Sequence, residues 1–518
     1  MSTPPHLVRS LLTIALLGFS YWPGISTAVE RSDSYLAALE SISTDQLRDH
    51  VLYLADDDLK GRKAGRPGGH AAGQYVADLF GQLELRGTGD NDGFFQTFGN
   101  NYRNVLGLLD GSDEKLRNQV IVIGAHYDHV GYGTRRDSRG PIGRIHNGAD
   151  DNASGTAALL EVAEAFSLLP EPPKRSVLFI GFDAEEKGLL GSQHWCAHPN
   201  VPLKRLGVMI NMDMVGRLRD SRLHVFGSRT GEGLRRLLSR QNDDLKLSFC
   251  WELKRKADHY PFFKRNTPVL LFHTGLHDAY HTPRDDARLV NNAGMRRVSR
   301  LVFQVAHELA QCSELPHFRT EAGRENESMR KRLAVRPARL QTRLGVTWDT
   351  GAPPGPGLRL ATVSADSAAE KGGLLPGDRI VKFAGREIVT GDDLRGAVLA
   401  AKNPAEAVVK RPNHDEPLNL KIELAGRPLR LGIMWRVDPA EPGTIILTRV
   451  LAGSPAAKAG LRFGDRVYRI RGQEFADEVE FAELAKQPGD SLQLHVEREG
   501  RIFTVPLYVD VPPPNRSA

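Results

Sequence analysis

Between residues 105 and 312, short apolar segments alternate with segments of helical periodicity. Apolar runs of this kind are typical of strands that are buried on both faces of a sheet. The four clearest runs are 120–123, 176–181, 207–211 and 269–272. Strands that alternate with helices form a largely parallel sheet. We therefore predict an α/β domain in which a mostly parallel, mixed sheet is flanked by helices.

Histidines and carboxylates follow these predicted strands. The residues concerned are His126, Asp151, Glu185, Glu186, Asp213 and His281. Asp151 precedes a predicted helix, and the others come after one of the four strands. The carboxyl ends of parallel strands meet at one edge of a sheet, where open α/β sheets bind their ligands. We expect the six side chains to converge at that edge.

The residue types in this set favour a metal site. Two histidines with carboxylates and no thiolate suit zinc, and less selectively Co²⁺ or Mn²⁺. A bridging carboxylate with ligands on either side holds two ions about 3.5–4 Å apart. One carboxylate must stay uncoordinated to accept a proton from water, because a metal-bound carboxylate is a poor base. Adjacent Glu185 and Glu186 can divide these two roles.

The motifs around these residues resemble those of peptidase family M28, the co-catalytic zinc aminopeptidases. The resemblance covers roughly residues 100 to 312. Its segments, in chain order, are His126-Tyr127-Asp128, Gly148-Ala149-Asp150-Asp151-Asn152-Ala153-Ser154-Gly155, Ala184-Glu185-Glu186-x-Gly188-Leu189-x-Gly191-Ser192, Asn211-Met212-Asp213 and Tyr280-His281-Thr282-Pro283.

The resemblance implies a role for each residue. His126 and Asp213 would hold one zinc ion, Glu186 and His281 the other, and Asp151 would bridge both. Glu185 would be the general base and later the acid that protonates the leaving amine. Asp128 would orient His126 by a hydrogen bond, as commonly accompanies metal-bound histidine.

Other polar residues near the motifs have open roles. We interpret Asp150 as a helix cap, and Asp285 either as a partner that orients His281 or as a cap of the next helix. Asp258 matches a family loop that lines the substrate site. Three further histidines near the motifs are interpreted as parts of the site wall, with a ligand role as the alternative; they are His129, His259 and His277.

Two loops are predicted to be exposed. The glycine-rich basic stretch 61–66 lacks the preceding strand and the following Lys-Ser/Thr of a phosphate-binding loop, so we interpret it as solvated. The glycine- and arginine-rich run 130–145 is predicted to form a mobile rim of the pocket.

The C-terminal part of the chain contains an internal repeat. Arg343-Leu344-Gly345-Val346-Thr347-Trp348 recurs as Arg430-Leu431-Gly432-Ile433-Met434-Trp435, and 430 − 343 = 87. Gly377-Asp378-Arg379-Ile380 recurs as Gly464-Asp465-Arg466-Val467 at the same offset, since 464 − 377 = 87. A constant offset over two motifs indicates two copies of one module.

Both copies resemble PDZ domains of the bacterial protease-associated type, which are small and rich in β-strands. The segments Leu344-Gly345-Val346 and Leu431-Gly432-Ile433 match the carboxylate-binding loop of those domains. The resemblance implies that each copy can bind a peptide C-terminus or an extended strand along one edge. The alternative for each copy is a purely structural role against the rest of the chain.

These patterns divide the chain of 518 residues into predicted segments. They are a signal peptide (1–28), an M28 zinc peptidase domain (29–315), a basic linker (316–342), PDZ domain 1 (343–426), PDZ domain 2 (427–511) and a Pro-rich tail (512–518). The linker is predicted from eight basic residues against three acidic ones in 318–343, with little apolar periodicity.

The N-terminal residues have the character of a secretory signal. Arg9 precedes the apolar run 11–19, and Ser26-Thr27-Ala28 supplies small residues for cleavage. The run is shorter than the roughly 20 residues that span a bilayer, and no later segment is long and apolar enough to do so. We predict an exported protein, periplasmic or extracellular after signal cleavage, without a stable membrane span.

Charge and cysteine content limit the possible partners and the possible disulfides of the protein. The net charge of +6 is spread along the chain and no nucleic-acid recognition motif stands out, so no nucleic-acid partner is expected. Only Cys196, Cys250 and Cys312 occur. Buried thiols are favoured over a single disulfide.

The sequence therefore predicts an exported metallo-aminopeptidase. It would hydrolyse N-terminal peptide bonds of peptides with a free N-terminus by means of a water activated by two Zn²⁺ ions. Two alternatives stay open: a glutaminyl cyclase-like transferase with one metal, and an inactive M28 domain that serves as a PDZ scaffold.

Overall fold

The computed structural model describes residues 32–333, 342–350, 356–426, 428–487, 489 and 491–509. The predicted signal peptide, the Pro-rich tail and part of the predicted linker lie outside them. The N-terminal part of the described chain is built on a nine-stranded sheet. Its strands are β1 (Arg86–Gly87), β2 (Phe95–Phe98), β3 (Tyr102–Leu109), β4 (Val120–His126), β5 (Ser176–Phe182), β6 (Leu206–Met212), β7 (Arg222–Phe226), β8 (Lys246–Phe249) and β9 (Val269–His273).

The four predicted strands form the centre of this sheet. The order is β1-β3-β5-β4-β6-β9-β7-β8, with β2 paired to β3. The neighbours β5, β4, β6 and β9 are mutually parallel, whereas β3 and β7 join them antiparallel. The predicted mixed α/β sheet is confirmed, with parallel strands at its centre and antiparallel strands beside them.

Helices cover both faces of the sheet because the side chains of each strand alternate between two apolar layers. In β4, Ile121 and Ile123 face one apolar layer, which contains the long helices, and Val120 and Val122 face the other. The helices of this part are α1 (Asp33–Ser41), α2 (Thr44–Leu54), α3 (Pro67–Gln82), α4 (Gly155–Ser167), α5 (Leu190–Ala197), α6 (Leu234–Gln241), α7 (His259–Phe263) and α8 (Asn292–Gln311).

Two smaller β-rich modules follow, and each has its own apolar core. Module 1 consists of β10 (Val346–Trp348), β11 (Leu358–Val363), α10 (Ala368–Lys371), β12 (Arg379–Phe383), β13 (Arg386–Glu387), α11 (Gly391–Ala400), β14 (Ala405–Lys410) and β15 (Leu418–Ile422). A further short helix, α9 (Glu327–Leu333), precedes it. Module 2 consists of β16 (Ile433–Val437), β17 (Ile445–Val450), α12 (Pro455–Lys458), β18 (Arg466–Ile470), α13 (Glu478–Lys486), β19 (Ser491–Arg498) and β20 (Arg501–Tyr508).

The 87-residue offset of the sequence repeat recurs in the contacts of the two modules. Arg411 forms a bidentate ion pair with Asp378, and Arg498 forms the equivalent pair with Asp465. The starts of β11 and β17 differ by the same number, since 445 − 358 = 87. Apart from the short strand β13 of module 1, the two modules therefore share one arrangement of strands and helices.

The first part of the predicted linker does not behave as a solvated connector. Arg319 and Ala322 are buried, and Phe318 packs against Phe263 of the N-terminal domain. Arg319 also pairs with Glu325 at 3.1 Å. For this part the expectation of a solvated linker is wrong, because Arg319 is paired with Glu325 and because Phe318 and Ala322 pack against the N-terminal domain.

Module 2 packs directly on the N-terminal domain through buried charges. Arg229, in the turn after β7, donates to Asp438 at 2.8 Å and to Glu325 at 2.6 Å. Arg235 of α6 forms a bidentate pair with Glu497, which is fully buried. The backbone N–H of Leu247 in β8 donates to the backbone carbonyl of Glu499. Charged and backbone contacts together fix module 2 against α6 and β8.

Two further expectations concern the cysteines and membrane spans. All three cysteines are free thiols, but only Cys196 is buried, so the interpretation as buried thiols holds for Cys196 and not for the partly exposed Cys250 and Cys312. Among the described residues, no helix is both long and apolar enough to cross a bilayer.

Candidate metal centre

The candidate ligands lie at the carboxyl edge of the parallel strands, as expected. His126 ends β4, and Asp213 comes directly after β6. Glu185 and Glu186 lie in the turn after β5, and Asp151 lies in an irregular turn, 149–154, that leads into α4. The structure brings these side chains, other than that of Glu185, into two groups that share Asp151.

The first group consists of His126, Asp151 and Asp213. His126 Nε2 lies 3.4 Å from Asp151 Oδ1 and 4.0 Å from Asp213 Oδ1. All three residues are buried. One histidine and two carboxylates at these separations can hold a zinc ion and leave a fourth position open.

The second group consists of His129, Asp151, Glu186 and His281. His281 Nε2 lies 3.0 Å from Asp151 Oδ2 and 3.1 Å from Glu186 Oε1. His129 Nδ1 lies 2.9 Å from the same Glu186 oxygen. Three members are the predicted ones, whereas His129 was assigned to the site wall. Its only sequence signal was its position three residues after His126 in the same loop.

Buried polar atoms without partners test whether a metal fits here. Both ring nitrogens of His129, Nε2 of His281 and Oε1 of Glu186 are buried and have no hydrogen-bond partner among the described residues. Polar atoms buried without a partner are rare, because they lose their hydrogen bonds to water. A cation bound by one ring nitrogen of His129, by Nε2 of His281 and by Oε1 of Glu186 would satisfy these three atoms, so the donor set fits zinc.

Glu185 lies beside both groups and belongs to neither. Its backbone N–H donates to Asp128 Oδ1 at 3.0 Å, which fixes the turn after β5. Among the described residues its carboxylate accepts no hydrogen bond. Burial raises the pKa of Glu185 well above its usual value, and repulsion from Glu186 and Asp258 acts in the same direction. The geometry thus leaves one carboxylate uncommitted next to the metal ligands.

Asp128 supports this turn more directly than it supports His126. Its two carboxylate oxygens accept the N–H groups of Glu185 and Glu186, at 3.0 and 3.4 Å. His126 Nδ1 lies 3.7 Å from the Asp128 carboxylate but 3.2 Å from its backbone carbonyl. Asp128 therefore links the loops that carry His126 and the two glutamates.

Asp285 and Asp150 support the turn that carries Asp151, and neither acts as predicted. Asp285 accepts the N–H groups of both Asp150 and Asp151 at 3.0 Å, so it neither orients His281 nor caps a helix. Asp150 accepts the N–H of Gly216 at 2.6 Å and pairs with His277 at 3.1 Å. The capping role of Asp150 is wrong, because its carboxylate faces other loops of the site.

His281 is oriented by the loop that was predicted to be a mobile rim. The carbonyl of Asp137 lies 2.5 Å from His281 Nδ1, and the N–H of Arg139 donates to the His281 carbonyl. A carbonyl that accepts a hydrogen bond from Nδ1 holds the ring in the tautomer whose Nε2 can bind a metal. No local sequence pattern indicates this pairing, because the two residues are 144 positions apart.

Arg62 lies fully buried behind the centre, which contradicts the solvated loop predicted for 61–66. Its guanidinium donates to four backbone carbonyls, those of Leu54, Tyr127, Asn147 and Gly148. Burial lowers the pKa of Arg62 to about 10, although the nearby carboxylates oppose this. Arg62 therefore stays charged at neutral pH and ties together the loops on both sides of the site.

The loop 250–258 contributes two further charged residues. Lys254 Nζ lies 3.7 Å from Asp213 Oδ2, a contact that the sequence did not indicate. Asp258, the predicted lining residue, accepts a hydrogen bond from Ser192 at 2.6 Å. Burial raises the pKa of Asp258 to about 7. His259, the first residue of α7, is buried next to this loop and belongs to neither metal group.

Comparison with known families agrees with the two kinds of domain described above. Residues 104–306 match the family model of peptidase family M28, and residues 430–509 match that of the PDZ domain.

Individual proteins are similar over parts of the chain. Aminopeptidase YwaD of Bacillus subtilis (strain 168) is 26% identical over 238 residues, which cover 41% of this chain and 46% of that protein. A probable zinc metalloprotease of Pyrenophora teres f. teres is 34% identical over 177 residues, or 32% of this chain and 35% of that protein. The chain thus spans half or less of the length of these relatives. The crystal structure of the Legionella pneumophila LapA aminopeptidase covers 59% of this chain and 81% of its own, with 22% identity and a TM-score of 0.47.

Proposed function

We propose, starting from the peptidase family M28 domain that the chain contains at 104–306, that the protein is an exported zinc aminopeptidase. It would remove N-terminal residues from peptides with a free N-terminus. One observation supports this most: two groups of metal ligands share Asp151, and the uncommitted carboxylate of Glu185 lies beside them. The domain boundaries predicted from the sequence are part of the same proposal.

Each residue of the centre has a definite task in this reaction. His126 and Asp213 would hold one zinc ion, Glu186 and His281 the other, and Asp151 both. The ions supply Lewis acidity, which polarises the peptide carbonyl and lowers the pKa of water. Glu185 accepts the proton of the attacking water and then delivers it to the leaving amine. Burial raises the pKa of Glu185 above its usual value, which makes its carboxylate a stronger base.

The PDZ modules would recruit peptides or proteins through their edge strands. β10 and β16 lie at the ends of their sheets, and each follows a loop of the carboxylate-binding type. Gly345 and Gly432 have φ values of +88° and +71°, and a Cβ at either position would come within 2.3 Å of the neighbouring Ser367 or Ser454 side chain. Glycine is therefore required to form both loops.

The glutaminyl cyclase alternative is less well supported, because the first group of ligands is intact beside the second. A one-metal enzyme would not need His126, Asp151 and Asp213 as a separate buried set. The inactive-scaffold alternative is disfavoured for the same reason.

The first test is a panel of aminoacyl reporter substrates with the mature protein, with and without a chelator. We expect hydrolysis of substrates with a free α-amine, its loss on chelation and its recovery on addition of zinc. N-acetylated versions of the same substrates serve as controls and should not be cleaved. Cleavage that is insensitive to both chelation and acetylation would contradict the proposal.

Peptide binding by the modules is tested separately. We expect peptides with a free C-terminal carboxylate to bind more tightly than their C-terminally amidated forms, as measured by fluorescence anisotropy. Gly345→Val and Gly432→Val distort one loop each, because valine disfavours positive φ and would clash with Ser367 or Ser454. The variant that loses binding identifies the active module. If amidated and free peptides bind equally well, the carboxylate-binding role is wrong.

A further inference from the structure

We propose that His129 is a fourth protein ligand at one of the two metal positions. One position is then enclosed by four residues of the chain (His129, Asp151, Glu186 and His281) and the other by three (His126, Asp151 and Asp213). The proposal rests on the two-metal centre proposed above and extends it, because the resemblance to peptidase family M28 assigns no role to His129.

The distances within the four-residue group fit coordination by all four. His129 Nδ1 lies 2.9 Å from Glu186 Oε1 and 3.9 Å from Asp151 Oδ2. His281 Nε2 lies 3.0 and 3.1 Å from the same two carboxylates. Zinc bonds of about 2.0–2.2 Å in a tetrahedron place ligand atoms about 3.3–3.6 Å apart. The observed separations bracket this range.

The orientation of the rings favours a cation over direct hydrogen bonds. His129 Nδ1 and Glu186 Oε1 are 2.9 Å apart, yet neither atom has an aligned hydrogen-bond partner. The same holds for His281 Nε2 at 3.1 Å from that oxygen. Two imidazoles that approach one carboxylate without pointing at its oxygen are aimed at a point between the side chains. His129 is fully buried, so water does not compensate its nitrogens.

The chain holds the His129 ring in this place by specific contacts. The backbone N–H of His129 donates to the backbone carbonyl of Arg62 at 3.1 Å. Gly148 packs against the ring, and a Cβ at that position would lie 2.4 Å from Cδ2 of His129. The His281 ring packs against it edge-on, with centroids 5.4 Å apart. Only glycine at position 148 leaves room for this arrangement.

A zinc position with four protein ligands differs in function from a position with three. Zinc sites closed by four protein ligands are typically structural, whereas sites with three keep a position for water or substrate. The four-residue position would bind its ion more tightly and hold the loops together. The three-residue position, beside Lys254, would be the exchangeable one with room for substrate.

The test is a titration of the metal-free full-length protein with Zn²⁺ against a competing chromophoric chelator. We expect two unequal affinities in the wild type. His129→Phe, which fills the same volume, should weaken the tighter site by at least about 100-fold, the upper end of the loss seen when supporting residues are removed. The weaker site should keep its affinity. His129→Asp restores a ligand atom near the position of Nδ1 and should recover most of the loss.

Two controls make the result specific. His273→Phe changes a buried histidine of β9 that belongs to neither group and should leave both affinities unchanged. With Co²⁺ in place of zinc, the visible spectrum of the first equivalent should change in His129→Phe, because the number of ligands changes. Equal wild-type affinities, unchanged binding in His129→Phe, or a weakened site with an unaltered cobalt spectrum would each overturn the proposal. Metal binding is measured without substrate, so failure of the aminopeptidase assignment would leave this result intact.

Discussion

Replacing Glu185 by glutamine should lower kcat by about 10²–10⁴-fold, the range typical for loss of a general base. Glutamine has the same shape but does not accept the proton of the attacking water. Glu185 lies outside both ligand groups, so the variant should keep the zinc content of the wild type. The measurement is kcat on the best aminoacyl reporter, together with the number of zinc ions per chain.

Glu186→Gln is the matched control, because the neighbouring residue belongs to the four-residue group. It should lose metal as well as activity. Undiminished activity in Glu185→Gln would show that the base is assigned to the wrong residue. Loss of zinc in Glu185→Gln would show that Glu185 is a ligand.

Replacing Arg229 by methionine should destabilise the contact between module 2 and the N-terminal domain by about 3–5 kcal/mol, the cost of removing one partner of a buried ion pair. Arg229 bridges the buried carboxylates of Asp438 and Glu325, at 2.8 and 2.6 Å. It also stacks on Trp251, with 3.8 Å from its guanidinium carbon to the ring centroid. Urea unfolding followed by tryptophan fluorescence measures the change. Methionine keeps much of the side-chain length and isolates the loss of charge.

Arg395→Met is the control, since Arg395 pairs with Asp392 on the surface at 2.7 Å, with side chains 47% and 60% exposed. An exposed pair contributes about 0–1 kcal/mol, so this variant should change little. If both variants lost the same stability, the buried network would have no special role.

Acid should weaken the same interface. Burial alone would raise the pKa of Asp438, but Arg229 and Arg466 outweigh it and lower the pKa to about 2, from an unfolded value of 3.8. A carboxylate with a lowered pKa stabilises the folded state fully above the unfolded pKa, and loses this effect as pH falls towards the folded one. Stability should therefore fall between about pH 4 and 2, and this pH dependence should shrink in Arg229→Met. The same slope in both proteins would contradict the role of Arg229.

Local sequence was sufficient to predict the central sheet and the candidate ligands. A ligand that directly follows a buried strand, as His126 and Asp213 do, is placed at the sheet edge by the strand itself. The internal repeat was equally visible, because it needs only two motifs at one offset. These predictions depend on neighbours in sequence, and the structure agrees with them.

The burial and the partners of several residues depend on tertiary contacts and could not be predicted from local sequence patterns. Arg62 had the sequence context of a solvated loop, and its burial depends on carbonyls up to 86 positions away. Asp128, Asp150 and Asp285 were correctly located near the site, but their partners come from other loops.

The sequence by itself determined the fold class, the repeat and the residues that meet at the edge of the sheet, because strand periodicity and motif spacing are local. Only the tertiary structure decided that His129 faces the candidate ligands and that module 2 is fixed to the N-terminal domain. The Arg229–Asp438 contact joins residues 209 positions apart, and His129 faces His281 across separate loops. Such pairs depend on how loops and domains pack, and periodicity in the sequence does not predict them.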